Sequence, residues 1–256
     1  MKQLVLALGS GGVRGFAHIG VLKALDEHQL KVHCVYGTSA GSLVGAFYQS
    51  GLSAVEIEKI AVNTFMPSLV DLRWPCNGFI RGQSLRGFIQ KNISAKDIQH
   101  LPRLLRVIAT KANDGSLHII QKGSLAPAVQ ASCSIPGVFQ PASFENQKYL
   151  DGDLKSPVPM YYARQEFPNA IVMGVNIIPA VSSDSPKVLG WSKRVSKNSY
   201  RSSLIEWERP FADLYLDIQM DPIHWNIKKW GQKQIELAYS QTLKTIPKLK
   251  QFLDIV

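Results

Sequence analysis

Two glycine-rich turns, each set between a short apolar run and a helical pattern, constrain this chain more than any other feature. The first follows Leu4-Val5-Leu6-Ala7-Leu8 and reads Gly9-Ser10-Gly11-Gly12-Val13-Arg14-Gly15. The second follows Val32–Tyr36 and reads Gly37-Thr38-Ser39-Ala40-Gly41. A short apolar run cut off by glycines fits a buried strand. Phe16, Ile19, Val21, Leu22 and Leu25 predict a helix over Gly15–His28, and another is expected from about Ala40 to Ser50. Further strands are expected at Leu104–Thr110 and Ile171–Ile178, with a short one at Ser116–Gln121, and Val129–Ser132 reads as the end of a helix closed by Pro136-Gly137. Alternation of this kind predicts a three-layer α/β/α fold with a mostly parallel central sheet covered by helices on both faces.

The 256 residues, 45% of them apolar, suffice for one sizeable core, so a single domain over 1–256 is expected. Its motif-bearing core spans about 4–178, followed by a C-terminal helical extension over about 187–256. The last helix is read over about Gln232–Leu253, apolar at Ile235, Leu243, Ile246 and Leu249 and either kinked or interrupted at Pro247. Thr64–Gly82 is irregular and apolar, either ordinary helix packing or a flap over a greasy pocket. The three cysteines, Cys34, Cys76 and Cys133, are odd in number and far apart, which fits a reducing compartment and no metal site. The first apolar run is too short for a signal peptide, and no stretch approaches the roughly 18 apolar residues of a membrane span. A soluble, cytoplasmic protein is the expectation.

A formal charge of +10 leaves nucleic acid, an anionic membrane or plain solubility open. No helix-turn-helix or aromatic-basic face is present, so no nucleic-acid partner is expected. Lys187, Lys193, Arg194, Lys197 and Arg201 occur with no acid between them, interleaved with Leu189 and Trp191. That segment is expected either to touch an anionic membrane surface peripherally or to be a solvated loop.

The chemistry starts at Ser39. A serine in G-x-S-x-G between a strand and a helix sits on a tight turn, its Oγ projecting into a cleft faced by the helix N-terminus. Alone, the pentapeptide also occurs as a plain turn; its placement favours a nucleophile. The first turn exposes backbone amides at a positive helix end, suited to a phosphate or an oxyanion. A dinucleotide site fails, because Arg14 stands where the third glycine belongs and the next strand ends in Val35-Tyr36 without an acid. Arg14 is read as a clamp on the loop, a ligand for an acidic head group, or a surface residue. Asp151-Gly152, in Leu150-Asp151-Gly152-Asp153, is by itself an ordinary turn.

Taken together and in this order, the segments resemble the patatin-like phospholipase family. Ser10-Gly11-Gly12-Val13-Arg14-Gly15, continued through Phe16–Leu22, is similar to its oxyanion motif, Gly37–Gly41 to its nucleophile motif, and Asp151-Gly152 to its Asp-Gly-Gly/Ala motif. Ala131–Pro141 also resembles the family, whose compact bacterial members are the nearer likeness. The resemblance implies a Ser39–Asp151 dyad without a catalytic histidine and an oxyanion hole at Ser10, Gly11 and Gly12. Arg14, Gly15, Gly37, Gly41 and Gly152 support the motifs. The substrate class implied is a lipid ester, phospholipid or lysophospholipid, with no cofactor and no metal; nothing fixes an oligomeric state. Ser10 replaces the family's first glycine, and Asp153 stands where Gly or Ala is usual. Asp153 is expected to press a second carboxylate on the base and disturb its pH dependence.

Three alternatives stand beside this reading. One is a Ser-His-Asp carboxylesterase using His224 with Asp213, Asp217 or Asp221, another a thioesterase, and the third a non-catalytic lipid-binding protein. His18, on the first helix, is expected to be structural.

Overall fold

A computed structural model describes residues 2–64, 80–178 and 191–255, with the backbone alone over 191–199. In chain order the strands are β1 (Leu4–Leu8), β2 (Val32–Thr38), β3 (Leu104–Lys111), β4 (Leu117–Ile120), β5 (Ala142–Phe144), β6 (Gln147–Asp151), β7 (Ile171–Asn176) and β8 (Leu214–Asp217). They form one sheet ordered β5-β6-β3-β2-β1-β7-β8, with β4 also paired to β3. β1 lies between β2 and β7 and is parallel to both; β2–β3 and β7–β8 are parallel too. Every residue of β1 is buried, as a strand covered on both faces must be.

The two faces can be read from β1 itself. Leu4, Leu6 and Leu8 join a core shared with α1 (Phe16–Glu27), α2 (Ala40–Gln49), α3 (Ala54–Asn63), α4 (Gln83–Asn92) and α5 (Leu125–Ser132). Val5 and Ala7 point the other way, into a core with Cys34, Tyr36, Met160 and Ala163 of α6 (Met160–Glu166), and Ile205 of α7 (Trp191–Glu208). The period of two thus distributes one strand between two helical layers, which makes the fold the expected three-layer α/β/α. Local signals agree with the packing. Ser53 and Glu56 close a reciprocal capping box at the start of α3, a device that contributes about 1 kcal/mol.

Two regions differ from the sequence expectation. β4 and β6 run antiparallel to β3, and β5 and β6 form a hairpin. Its turn residues, Glu145 and Asn146, both have positive φ (44° and 62°), so the mirror-image turn forms without the glycine that normally announces it. The C-terminal region is not a helical appendage. β8 completes the parallel side of the sheet, and Trp230 of α8 (Ile227–Leu243) packs edge-on to Phe16 of α1, ring centroids 6.4 Å apart. Of the two outcomes expected at Pro247, the helix is interrupted and not kinked: the proline lies in the first turn of a separate helix, α9 (Ile246–Phe252), where its missing N–H costs nothing.

Among the described residues no helix is long and apolar enough to cross a membrane. The flap residues Phe65–Phe79, Cys76, and Lys187 and Leu189 of the basic segment lie outside the described residues, as do the side chains of Trp191, Lys193, Arg194 and Lys197. Ile80 is described, and its N–H donates to Val138 O at 2.9 Å while its carbonyl accepts from Gln140 N–H at 2.9 Å.

Candidate active site

Both glycine turns emerge at the C-terminal ends of neighbouring strands. After β1, Gly9 N–H donates to Val175 O (3.0 Å) and Ser10 N–H to Pro157 O (2.9 Å), and a 3-10 turn over Gly12–Gly15 then leads into α1. After β2, Ser39 adopts φ 51° and ψ −118°, a conformation an L residue holds only at a cost of order 1–3 kcal/mol. The surroundings impose it. Ser39 N–H donates to Ser132 Oγ (2.8 Å), and its carbonyl accepts from the Ser42 and Leu43 amides (2.9 and 3.1 Å) and from Ser42 Oγ (2.7 Å). The first turn of α2 then lies directly on the end of β1: a Cβ on Gly41 would sit 2.1 Å from Leu8 O. Gly37 is similarly close to Ser42, and Gly15 faces Ala40.

The partner of Ser39 arrives on the antiparallel side of the sheet. Asp151 ends β6, its N–H donating to Ser134 O (2.9 Å) and its carbonyl accepting from Thr110 Oγ1 (2.9 Å). Gly152 lets the chain turn beneath β3, where a Cβ would lie 2.3 Å from Ile108 O. The Asp151 carboxylate accepts Asp153 N–H on Oδ1 and Ser39 Oγ–H on Oδ2, both at 2.8 Å. Ser39 is 4% exposed and Asp151 2%, so their contact is shielded from bulk water. With Gly11 and Gly12 they border a cavity of about 210 Å³ whose apolar wall is Ile135, Pro136, Leu154 and Ile178.

The sequence profile of the patatin-like phospholipases matches residues 6–164, which contain both glycine turns, Ser39 and Asp151. The chain belongs to the patatin-like phospholipase family. Residues 6–164 are accordingly a lipid-hydrolase domain. An uncharacterised NTE family protein of Mycobacterium tuberculosis is 31% identical over 160 residues, 62% of this chain and 44% of that one. Lysophospholipase NTE1 of Eremothecium gossypii is 26% identical over 261 residues, spanning 100% of this chain and 16% of its own length. The chain therefore spans less than half of either relative. Among solved structures, VipD from Legionella pneumophila shares the fold, with a TM-score of 0.64 at 12% identity over 96% of this chain and 67% of that one.

Within this patatin-like site the oxyanion turn needs one correction. Ser10 was expected to offer its backbone N–H, but Pro157 O takes that hydrogen bond. The amides of Gly11 and Gly12 remain, and neither has a hydrogen-bond acceptor among the described residues. Arg14 closes the turn through its backbone, N–H to Gly11 O at 3.1 Å; its buried Nε has no partner among the described residues. Burial and the nearby Arg201 charge push that guanidinium below its usual range. His18 is structural: fully buried, it places Nε2 2.7 Å from Gly9 O, and burial holds its pKa down to about 4, so the imidazole stays neutral. Cys133, beside Ser39 and Asp151, has its thiol pushed up to about 12 by burial and then by the Asp151 charge, so it offers no thiolate. His224 lies exposed in the loop after β8, its Nδ1 accepting from Asn226 N–H (3.2 Å).

Several residues at this site went unread in the sequence. Ser132 braces the Ser39 amide. Arg201, read as part of a basic segment that either touches an anionic membrane surface or is a solvated loop, is instead 7% exposed; its Nε donates to Asp153 Oδ1 (2.9 Å) and its Nη2 to Ser10 Oγ (3.2 Å) and Asn176 Oδ1 (3.3 Å). Ser10 Oγ–H in turn donates to Asp153. The second carboxylate expected to press on Asp151 is thus met by a cation. Glu208, two turns after Arg201 on the same face of α7, accepts from Ser156 Oγ–H and from Tyr161 N–H (2.9 Å). Burial pushes its pKa up to about 7.

Proposed function

We propose that this protein hydrolyses carboxylic ester bonds of phospholipids or lysophospholipids through a Ser39–Asp151 dyad and an acyl-enzyme. The observation that carries the reading is the 2.8 Å hydrogen bond from Ser39 Oγ directly to Asp151 Oδ2, with no imidazole between them. Asp151 takes the proton as Oγ attacks the ester carbonyl, and the Gly11 and Gly12 amides face the oxygen that gains charge. Each such donor is worth roughly 3–4 kcal/mol where one has been removed elsewhere. The alcohol departs with the proton returned from Asp151. Water, deprotonated by the same carboxylate, then splits the acyl-enzyme into a fatty acid and free Ser39.

A carboxylate is a weak base at neutral pH, and the near-complete burial of both partners supports its use here by removing the water that would otherwise stabilise its charge. The apolar wall of Ile135, Pro136, Leu154 and Ile178 suits an acyl chain. The lysophospholipase name of one relative points to the same substrate class. No observation favours the His224 triad, since that ring is exposed and outside the cavity lining. Hydrolysis of defined phospholipids and lysophospholipids, beside p-nitrophenyl esters and a short acyl thioester, tests the substrate class. Mapping of a fluorophosphonate adduct tests the nucleophile: the adduct is expected on Ser39, with Ser39→Ala inactive. An adduct on another serine, or hydrolysis of the thioester alone, would overturn the proposal.

A further inference from the structure

The buried polar network beneath the oxyanion turn has no role in the bond-breaking steps, yet it touches both halves of the site. Ser10, one residue before Gly11, and Asp153, two residues after the base, are 143 residues apart in sequence and joined by a hydrogen bond between their side chains. Arg201 bonds both of them and reaches Asn176, whose Nδ2 donates to Asp217 Oδ1 at 2.7 Å. It comes from α7, beyond the residues that match the family profile. Arg201 does not border the cavity, whereas Ser10 and Asp153 do.

We propose that Arg201 is a positioning residue for the hydrolysis, holding the oxyanion turn and the base-bearing loop in register through Ser10 Oγ and the Asp153 carboxylate. The proposal rests on the Ser39–Asp151 reading. Two connections transmit its effect. Fixing Ser10 Oγ fixes the chain that presents the Gly11 and Gly12 amides. Fixing Asp153 fixes the amide that donates to Asp151 Oδ1, at 2.8 Å. The guanidinium is suited to the task because its rigid fork spans a carboxylate and a hydroxyl at once, which an ammonium cannot do with equal geometry. Arg201 also compensates the Asp153 charge, which otherwise lies within the reach of Asp151. Among the described residues, the other titratable or charged groups facing this pair are Arg14, Tyr215 and, through Asn176, Asp217.

The test uses the full chain carrying Arg201→Met, Arg201→Lys, Asp153→Asn or Arg201→Met with Asp153→Asn. Each is assayed on p-nitrophenyl butyrate across pH and by the rate of fluorophosphonate labelling of Ser39. Arg201→Met is expected to lose about tenfold to a hundredfold in kcat, the scale of a misplaced reacting group, with KM changed by less than about threefold. Its acidic limb should move to higher pH, since an uncompensated Asp153 charge opposes ionisation of the base. Arg201→Lys should recover part of kcat, and the double variant should bring the limb back without a further loss of rate. If Arg201→Met does not fold, Asp153→Asn alone decides: it should lower kcat and labelling together, with no upward movement of the limb. Wild-type kcat in Arg201→Met or in Asp153→Asn would overturn the proposal and leave the dyad intact, as would losses that simply multiply in the double variant. Hydrolysis that survives Ser39→Ala would overturn the dyad and this proposal together.

Discussion

The two glycine turns that frame the site are built in opposite ways. The nucleophile turn is held by close packing, its geometry set by backbone atoms that leave no room for a Cβ at Gly41 and by the hydrogen bonds around a serine in a costly conformation. The oxyanion turn is held by its backbone bonds to Val175 and Pro157 and, in addition, by polar side chains brought from elsewhere: Asp153 and Arg201 on Ser10, and His18 on Gly9. The first rests on backbone contact around Ser39, whereas the second adds a sequence-distant ion pair to its own packing and backbone hydrogen bonds. The nucleophile must keep one geometry through every step, which packing guarantees at any pH and ionic strength. The oxyanion turn depends on side chains that a single substitution can uncouple.

Gly41→Ala is the hardest blow to this contrast. Its Cβ would lie 2.1 Å from Leu8 O, so either α2 or β1 must move. Overpacking a core typically costs 1–3 kcal/mol, and a clash with backbone belongs at or above the top of that range, roughly 3 kcal/mol or more. Urea unfolding should show that loss together with loss of hydrolysis. Near-wild-type stability would mean that the turn is not fixed by packing. Asp151→Asn comes next and separates chemistry from scaffold. Asparagine keeps an acceptor for Asp153 N–H but cannot take the Ser39 proton. Hydrolysis is expected to fall on the order of 10²–10⁴-fold, the range of a lost general base, with unfolding unchanged within about 1 kcal/mol. An active Asp151→Asn enzyme would return the base to another residue.

The same contrast explains what was legible in the sequence. The nucleophile turn could be read at sight because its motif, from Gly37 to Gly41, is contiguous and sits between apolar runs, although Leu8 and Ser132, which brace it, are distant in sequence. The parallel strands β1, β2, β3 and β7 could be read because strands buried on both faces are continuous apolar runs. The hairpin that delivers Asp151 could not, since Glu145-Asn146 carries no glycine, and its second strand opens with two exposed polar residues, Gln147 and Lys148, in place of an apolar alternation. Arg201 was misread for a different reason. A basic residue in a run of basic residues has the pattern of a solvated surface, and only the fold reveals the carboxylate 48 positions away that it meets. Long-range ion pairs leave no periodicity, so no local pattern could have found this one.

Acid and base act on His18, which bonds Gly9 of the oxyanion turn, and on Glu208 in opposite directions. His18 is neutral in the fold down to about pH 4 but takes a proton in the unfolded chain near its ordinary 6.5. The unfolded state therefore binds more protons between those values, and stability falls as pH drops from about 6.5 to 4, by about 3 kcal/mol in all. Glu208, beneath the loop that carries Asp151, has its carboxyl raised to about 7 from 4.5. Here the folded state binds the extra proton, so stability falls as pH rises from about 4.5 to 7, again by about 3 kcal/mol. Between pH 4.5 and 6.5 the two slopes oppose each other. Glu208→Gln should exceed the wild type by up to about 3 kcal/mol at pH 8, with the gain disappearing by pH 4.5, leaving the His18 slope exposed. Urea unfolding at these pH values measures it. A gain that does not vary with pH would show that Glu208 is not ionising inside the fold.

The smallest expected effect is at Gly12, and it tests the contrast most directly. Gly12 has φ +56°, yet a Cβ placed there would meet nothing within 4 Å. An alanine is thus penalised only by its own backbone preference, about 1–2 kcal/mol for an L residue in the left-handed region. Its N–H is still present and still directed by the turn that Ser10, Asp153 and Arg201 hold. Gly12→Ala should therefore lose about 1–2 kcal/mol in urea unfolding and keep hydrolysis within about tenfold of wild type, a displacement smaller than the hundredfold that a 1 Å misplacement costs. Arg201→Met combined with Gly12→Ala should do worse than the two losses multiplied, because the strained alanine then lacks the network that holds the turn. If Gly12→Ala alone proves as damaging as Gly41→Ala, the oxyanion turn is fixed by packing after all, and the distinction between the two turns falls.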